Sequence, residues 1–232
     1  MPKIKQAPYE LLAFQSNDQA DEKLSVWSRK AGFHYGWDWG PRLITCGVWK
    51  PVILEAYNQA KLEDVYIGQT DVTADKATLN TRFEISSEVN KQAVIRLKIN
   101  DNSRHAISKE ISLTPGTKII SEEIEIDNPA LWWPNGLGDQ PMYQFTAELL
   151  IDGKTVNEKK IRTGLRDVKV IREDDEHGKS FYVKVNDVPV YIKGANYIPQ
   201  DNFQSRVSDE DYEYIIKSAA DVNMNMLRVW GG

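Results

Sequence analysis

Residues 77–85 have the sequence Ala-Thr-Leu-Asn-Thr-Arg-Phe-Glu-Ile, in which apolar and polar side chains alternate. Residues 93–99, Ala-Val-Ile-Arg-Leu-Lys-Ile, repeat the alternation. Because successive side chains of a strand point to opposite faces, both stretches predict strands with one buried face. Five further candidate strands, separated by Pro-Gly, Asn-Pro and Asp-Gly turn signals, are residues 62–67, 106–113, 119–126, 142–151 and 158–171. Seven short strands at these intervals predict a mainly β protein with an immunoglobulin-like β-sandwich over residues 59–174.

On the N-terminal side of this sandwich lies an aromatic turn, residues 32–42, with the sequence Gly-Phe-His-Tyr-Gly-Trp-Asp-Trp-Gly-Pro-Arg. Trp37 and Trp39 flank Asp38, so two flat apolar rings stand beside an acceptor-only carboxylate. Sugar recognition uses that combination, because the carboxylate accepts from hydroxyls while a ring covers an apolar face. The same residues also suit a packed turn, in which the indoles fill a core and Asp38 caps backbone N–H groups. The turn alone leaves both interpretations open.

The stretches around the aromatic turn predict further β-structure. Residues 23–30 and 49–57 are each interpreted as a strand, after an irregular lead-in over residues 1–22. Two or three strands cannot bury a sandwich face by themselves. Residues 1–58 are therefore expected to be the C-terminal part of a larger β-domain.

The pattern changes after the charged stretch at residues 174–179. Residues 181–185 and 188–193 flank Asn186-Asp187, which predicts a hairpin. A helix is predicted from the N-cap Ser208, and residues 226–230 form a continuous apolar strand. Strand, crossover helix and buried strand make a βαβ unit, which belongs to parallel sheets and (β/α)8 barrels. One such unit cannot stand alone, so residues 175–232 are expected to be the truncated start of a barrel.

Composition excludes several classes of function. The net charge is −5 with basic residues spread along the chain, which argues against nucleic acid and anionic membranes as partners. Apolar runs are too short to span a bilayer, and the N-terminus lacks the apolar core of a signal peptide. One cysteine, Cys46, and three histidines leave no internal disulfide and disfavour a zinc site. No metal or other cofactor is expected.

Four motifs in order resemble glycoside hydrolase family 2, and specifically its β-mannosidases. They are the aromatic turn followed by residues 47–52, then residues 131–138, residues 193–201 and residues 225–232. The resemblance covers about residues 23–232 and implies the end of a jelly-roll domain, an immunoglobulin-like domain and the first strands of a TIM barrel. One departure is Tyr197, where many relatives carry Trp; either ring can stack on a sugar.

The resemblance implies a sugar-binding shell formed by Trp37, Asp38, Asn196, Tyr197, Arg228 and Trp230. Asp38 would accept hydrogen bonds from sugar hydroxyls, with Trp37 beside it. Asn196 and Tyr197 end the first barrel strand, at the face where barrel active sites are built. Arg228 would orient a catalytic carboxylate, or alternatively form a structural ion pair within the barrel. Trp230 likewise has two possible roles, as part of the pocket wall or as part of the core.

Members of the family are retaining enzymes with two catalytic glutamates, which the resemblance places on later barrel strands beyond Gly232. No catalytic residue is therefore expected in this chain, and alone it should be inactive. The expected partner is a β-mannoside or mannose-terminated oligosaccharide, and exposed truncated barrel strands predict self-association. The location of the longer parent protein is left open, and it could be periplasmic, secreted or lysosomal. Two alternatives remain: a carbohydrate- or protein-binding sandwich without hydrolase activity, or a fragment of a β-galactosidase, β-glucuronidase or exo-glucosaminidase.

Overall fold

The computed structural model describes residues 18, 25, 28–100 and 105–231. Its contacts divide the chain into two compact units. One unit combines residues 1–53 with residues 193–232, and the other contains residues 54–192. Residues 175–192, which the sequence placed with the barrel segment, group here with the sandwich. The domain boundaries themselves stay a prediction.

The predicted seven-stranded sandwich is confirmed within residues 54–192. One antiparallel sheet has the order β1-β2-β5, with β1 (Ala60–Val72), β2 (Lys76–Ser87) and β5 (Gly116–Asp127). The second has the order β4-β3-β6-β7, with β3 (Lys91–Ile99), β4 (His105–Leu113), β6 (Tyr143–Ile151) and β7 (Lys154–Thr163). The chain changes sheet after β2, after β4 and after β5, which is how a sandwich covers both inner faces.

The alternation that predicted the strands also builds the core between the two sheets. Along β2 every second side chain is buried, namely Ala77, Leu79, Thr81, Phe83, Ile85 and Ser87. Thr81 is a polar member of that row, and its hydroxyl donates to the carbonyl of Glu122 at 2.7 Å. Since a buried hydroxyl needs a partner, this bond lets a threonine occupy a core position. Strands β1 to β6 contribute buried residues to the core, and the partly buried Ile161 of β7 packs against it.

The predicted strand over residues 158–171 is interrupted, so that β7 ends at Thr163 and β8 (Val168–Ile171) begins later. Gly164 packs against the ring of Trp132, where a Cβ atom would lie 2.7 Å from the indole. Leu165 is fully buried and bridges to Leu131. The chain therefore leaves the sheet after β7, and Leu165 packs against the core beside Trp132.

A small antiparallel sheet in the order β12-β11-β8 contains the predicted hairpin, with β11 (Tyr182–Val185) and β12 (Val188–Val190). Asn186 and Asp187 have φ of 51° and 62°, the left-handed conformation of a two-residue hairpin turn. A two-residue ladder precedes it, formed by β9 (Asp174–Asp175) and β10 (Gly178–Lys179).

The predicted βαβ unit is confirmed. Strand β13 (Gly194–Tyr197) pairs in parallel with β14 (Met226–Val229), and α1 (Asp209–Asp221) connects them. Ser208 caps α1 through a reciprocal capping box with Asp211. The exposed Glu210 in the first turn has its pKa lowered by a hydrogen bond from its own backbone N–H and then by Ser208. Within the described residues, no helix combines the length and the apolar character needed to cross a bilayer.

The strand predicted over residues 49–57 is wrong. These residues have no regular secondary structure, and Val52, Ile53 and Leu54 are between 76% and 97% exposed. A strand exists only through its ladder, and no described strand pairs with this stretch. The strand predicted over residues 23–30 lies largely outside the described residues, and residues 28–30 form a bend instead. The irregular lead-in also lies outside them, except for Asp18.

Candidate functional site

The aromatic turn begins with a short 3-10 helix, Gly32–Tyr35, that buries Phe33 and Tyr35. The Tyr35 hydroxyl hydrogen-bonds with the hydroxyl of Ser28. Gly36 then takes a φ of 103°, which a side chain would oppose. The N–H of Trp37 donates to the carbonyl of Gly40 at 2.9 Å and closes a four-residue loop. Residues 37–40 therefore project as a tight loop from a buried base.

Asp38 stands at the exposed tip of that loop. Among the described residues its carboxylate has no hydrogen-bond or ion-pair partner. The backbone-capping role in the packed-turn interpretation is therefore not seen here, although Trp37 and Trp39 are half-buried beside it. Because Asp38 is exposed and its carboxylate has no partner among the described residues, its oxygens can accept hydrogen bonds from a ligand.

A partly buried ion pair holds the C-terminal end of the aromatic turn. The Arg42 guanidinium donates from Nε to Oδ1 of Asp18 at 3.0 Å. The Asp18 side chain is fully buried and also accepts from the N–H of Ser25 at 3.2 Å. A buried carboxylate is tolerated when a cation and further donors satisfy its oxygens, as they do here.

The βαβ unit carries a polar pair on one face of its two strands. Asn196 and Arg228 are opposite each other in the parallel register, and Nη1 of Arg228 donates to Oδ1 of Asn196 at 3.1 Å. Both residues are exposed. A guanidinium has five N–H donors, so this bond leaves Arg228 able to bind a carboxylate as well.

The aromatic turn and the end of β14 meet within the same compact unit. The rings of Trp37 and Trp230 are 5.1 Å apart at 62°, and those of Trp39 and Trp230 are 6.3 Å apart at 75°. Phe33 extends the cluster, with its ring 5.3 Å from that of Trp39. Edge-to-face contacts at these distances are favourable between aromatic rings. The cluster brings the loop that carries Asp38 to the strand that carries Arg228.

Beside this cluster lies a cavity of about 1170 Å³, lined by both parts of the unit. Its walls are mainly apolar, and they include Phe33, Ile215, Leu227, Val229 and Trp230. Leu227 and Val229 alternate along β14 with Arg228, so the cavity lies on the strand face opposite to the polar pair. The cavity is not wholly apolar, because Lys30, His34, Thr45 and Gln204 also line it.

Two titratable side chains around the cavity have pKa values shifted by their surroundings. Burial lowers the pKa of His34, and the charge of Lys30 adds to the effect. The His34 ring packs on Phe33 with centroids 4.5 Å apart. Burial raises the pKa of Tyr212, and the adjacent Tyr197 contributes as well. Their neutral forms, favoured at neutral pH, suit an apolar wall.

The structure brings together most of the residues that the sequence proposed for sugar binding. Trp37 contacts Trp230, and Asn196 bonds Arg228. Tyr197 lies apart from the polar pair, because its ring lines the cavity and lies 6.4 Å from that of Tyr212. Sequence reasoning missed Asp18 and Asn202, two buried polar residues that contact the aromatic turn. No local signal marks them, since both act through distant contacts.

Comparison with protein-family models gives two matches. The model described as glycosyl hydrolase 2 galactose-binding domain-like matches residues 2–50. The model described as glycosyl hydrolases family 2 matches residues 60–166, which contain the sandwich strands. Both belong to the same family, and they occur in the order that the sequence motifs implied.

Individual relatives point the same way. Beta-mannosidase B of Emericella nidulans is 35% identical over 217 residues, covering 90% of this chain and 25% of that protein. Beta-mannosidase of Capra hircus is 35% identical over 217 residues, covering 88% of this chain and 24% of that protein. The crystal structure of beta-D-mannosidase from Dictyoglomus thermophilum aligns with a TM-score of 0.86 and 35% identity, over 100% of this chain and 28% of that one. The chain thus spans about a quarter of the length of its curated relatives.

A more distant neighbour shares the fold alone. The exo-chitosanase of Amycolatopsis orientalis aligns with a TM-score of 0.65 at 24% identity, over 75% of this chain and 20% of that one.

Proposed function

Because this chain belongs to glycosyl hydrolase family 2, we propose that it is part of an exo-acting, retaining β-mannosidase that removes terminal β-D-mannose residues. The relatives that are about one-third identical, from several organisms, are named as β-mannosidases, which favours a mannoside over other glycosides. The observation that carries the proposal is the meeting of the aromatic turn with the end of β14, where Trp37 and Trp230 are 5.1 Å apart.

In this proposal the chain supplies one side of the pocket for the terminal sugar. Asp38 accepts hydrogen bonds from two neighbouring hydroxyls, because its oxygens are exposed and have no partner among the described residues. Trp37 and Trp230 provide the apolar surface beside it. The pair of Arg228 and Asn196 holds a catalytic carboxylate in place, using the donors of Arg228 that Asn196 leaves free. Tyr197 belongs to the cavity wall on the other strand face.

We place the catalytic residues in the part of the parent enzyme that corresponds to the unmatched part of the relatives. A retaining glycosidase needs an acid/base carboxyl and a nucleophilic carboxylate about 5 to 5.5 Å apart on either side of the bond. The chain covers only 25% and 28% of the relatives from Emericella and Dictyoglomus. Residues 1–232 alone are therefore proposed to bind the sugar weakly without hydrolysing it.

The experiment compares residues 1–232 with a version extended through a complete barrel, on a panel of p-nitrophenyl β-glycosides. The extended protein should release nitrophenol fastest from the β-mannoside, and residues 1–232 should release none. Faster turnover of the β-galactoside, β-glucuronide or β-glucosaminide would assign the chain to another branch of the family. Hydrolysis by residues 1–232 would contradict the proposal that the catalytic carboxylates lie outside this chain.

Asp38 gives a sharper test in the extended protein. Asp38→Ala should lower kcat/KM for the β-mannoside about 10- to 100-fold, because a hydrogen bond to a charged group is worth roughly 1.5 to 3 kcal/mol. Asp75→Ala is the matched control, since Asp75 is also an exposed aspartate but lies in the turn between β1 and β2. Equal kcat/KM values for both variants would contradict the sugar-binding role of Asp38 and favour the packed-turn interpretation.

A further inference from the structure

Asn202 is an almost fully buried polar side chain in the loop between β13 and α1, with 7% of its surface exposed. Its Nδ2 donates to the carbonyl of Pro41 at 2.8 Å, across 161 residues of sequence. Its Oδ1 has no hydrogen-bond partner among the described residues. A buried amide oxygen without a hydrogen bond lowers stability, because it has lost its bonds to water, so such a residue calls for an explanation.

The unpaired oxygen of Asn202 packs directly against Gly40. A Cβ atom built on Gly40 would lie 2.5 Å from that oxygen, closer than real Cβ atoms approach another atom. The backbone of Gly40 is not in the left-handed region, so a side chain here is opposed by the close approach of Asn202, which would have to shift, and not by the φ angle of Gly40. Gly40 and Asn202 thus form a matched pair.

This pair lies at the base of the loop that carries Asp38. The bond from Trp37 to the carbonyl of Gly40 closes that loop, and Asn202 contacts Gly40 and the next residue, Pro41. Asn202 itself is anchored, because its neighbour Asp201 accepts from the N–H of Phe203 at 2.7 Å and pairs with Arg206 at 2.8 Å. The loop after β13 therefore contacts the aromatic turn at Gly40 and Pro41.

We infer that Asn202 is a positioning residue for the sugar site: through Gly40 and Pro41 it sets where Asp38 and Trp37 stand relative to β14. This inference rests on the proposed function for its consequence in binding. The contact between Asn202 and the aromatic turn is independent of the proposed function, because it can be tested without any sugar.

The first experiment measures the near-ultraviolet circular dichroism of residues 1–232, to which the close indole rings of Trp37, Trp39 and Trp230 contribute. Asn202→Ala should weaken the tryptophan bands, as should Asn202→Asp, which keeps the side-chain shape but removes the donor at neutral pH. Asn80→Ala, an exposed asparagine on β2, should leave them unchanged. Unchanged bands in both Asn202 variants would overturn the inference.

A double-mutant cycle tests the matched pair directly. Gly40→Ala alone should weaken the same bands because its methyl group collides with the Asn202 oxygen. Gly40→Ala combined with Asn202→Ala should be less harmful than the sum of the two changes, since the shortened side chain makes room. Simple additivity would mean that the two residues do not position each other.

The second experiment titrates the same variants with methyl β-D-mannopyranoside, followed by tryptophan fluorescence. Asn202→Ala should weaken the affinity about 3- to 10-fold, the range expected for losing one neutral hydrogen bond. Unchanged affinity with weakened bands would overturn the role in sugar binding. If the unaltered chain does not bind the sugar but the double-mutant cycle gives the expected coupling, the proposed function would be contradicted. The positioning contact between Asn202 and Gly40 would still be supported.

Discussion

Asp18 and Arg42 form an ion pair whose two members differ in their access to water. The Asp18 side chain is fully buried, whereas 32% of the Arg42 side chain is exposed. Arg42→Met should therefore destabilise this unit by about 1 to 3 kcal/mol, because it removes a charge-assisted hydrogen bond from a carboxylate that stays buried. Asp18→Asn should cost less, because the guanidinium that remains can reach solvent. Urea unfolding followed by tryptophan fluorescence measures both variants, and equal losses would contradict the asymmetry.

At the residue scale, the sequence identifies a candidate site residue only where the chemistry is visible locally. Asp38 between two tryptophans is such a case, and the structure places its carboxylate at an exposed tip. Asp18 and Asn202 could not be found in this way. Asp18 is 24 residues from Arg42 and Asn202 is 161 residues from Pro41, so nothing near either residue signals its partner. Burial of a polar group becomes informative only when the fold shows what it touches.

At the scale of elements, the two serines associated with α1 should respond in opposite directions. Ser208→Ala removes the hydroxyl that accepts from the N–H of Asp211, and should cost about 1 kcal/mol. Ser218 is exposed in the same helix and donates back to the carbonyl of Tyr214 at 2.7 Å. Ser218→Ala should be neutral or slightly stabilising, since alanine favours helix and the back-bond does not. Thermal unfolding measures the pair, and a loss at both positions would contradict the capping role.

The elements that sequence predicted correctly are those with partners in the described chain. The period-two pattern of β2 and β3 was sufficient because neighbouring strands complete their ladders. Residues 49–57 show the opposite case: the stretch is rich in β-branched and aromatic residues but has no pairing strand. Propensity describes a fit to a pleated, half-buried surface, and without that surface the strand does not form.

At the scale of the whole molecule, the two units differ in how well their strands are covered. Residues 54–192 bury the inner faces of two sheets in a shared core. In the other unit, the described strands β13 and β14 pair only with each other, so each has an open edge. Helix α1 between them has no fully buried residue, and Ile216 and Val222 are 61% and 65% exposed. The sequence predicted this βαβ unit, but only the fold shows which of its surfaces stay open.

Open strand edges in this unit predict self-association of residues 1–232. An unpaired edge presents N–H and C=O groups to a second copy, and exposed apolar side chains favour the contact. Val229 on β14 is 75% exposed, so Val229→Lys should weaken association roughly tenfold, by placing a charge where a new ladder would form. Val222→Lys is the matched control, because Val222 is similarly exposed but lies at the end of α1 and away from the sheet. Sedimentation velocity over a range of protein concentrations measures both. Equal weakening would indicate general apolar contact in place of edge pairing, and a monomer at all concentrations would contradict self-association altogether.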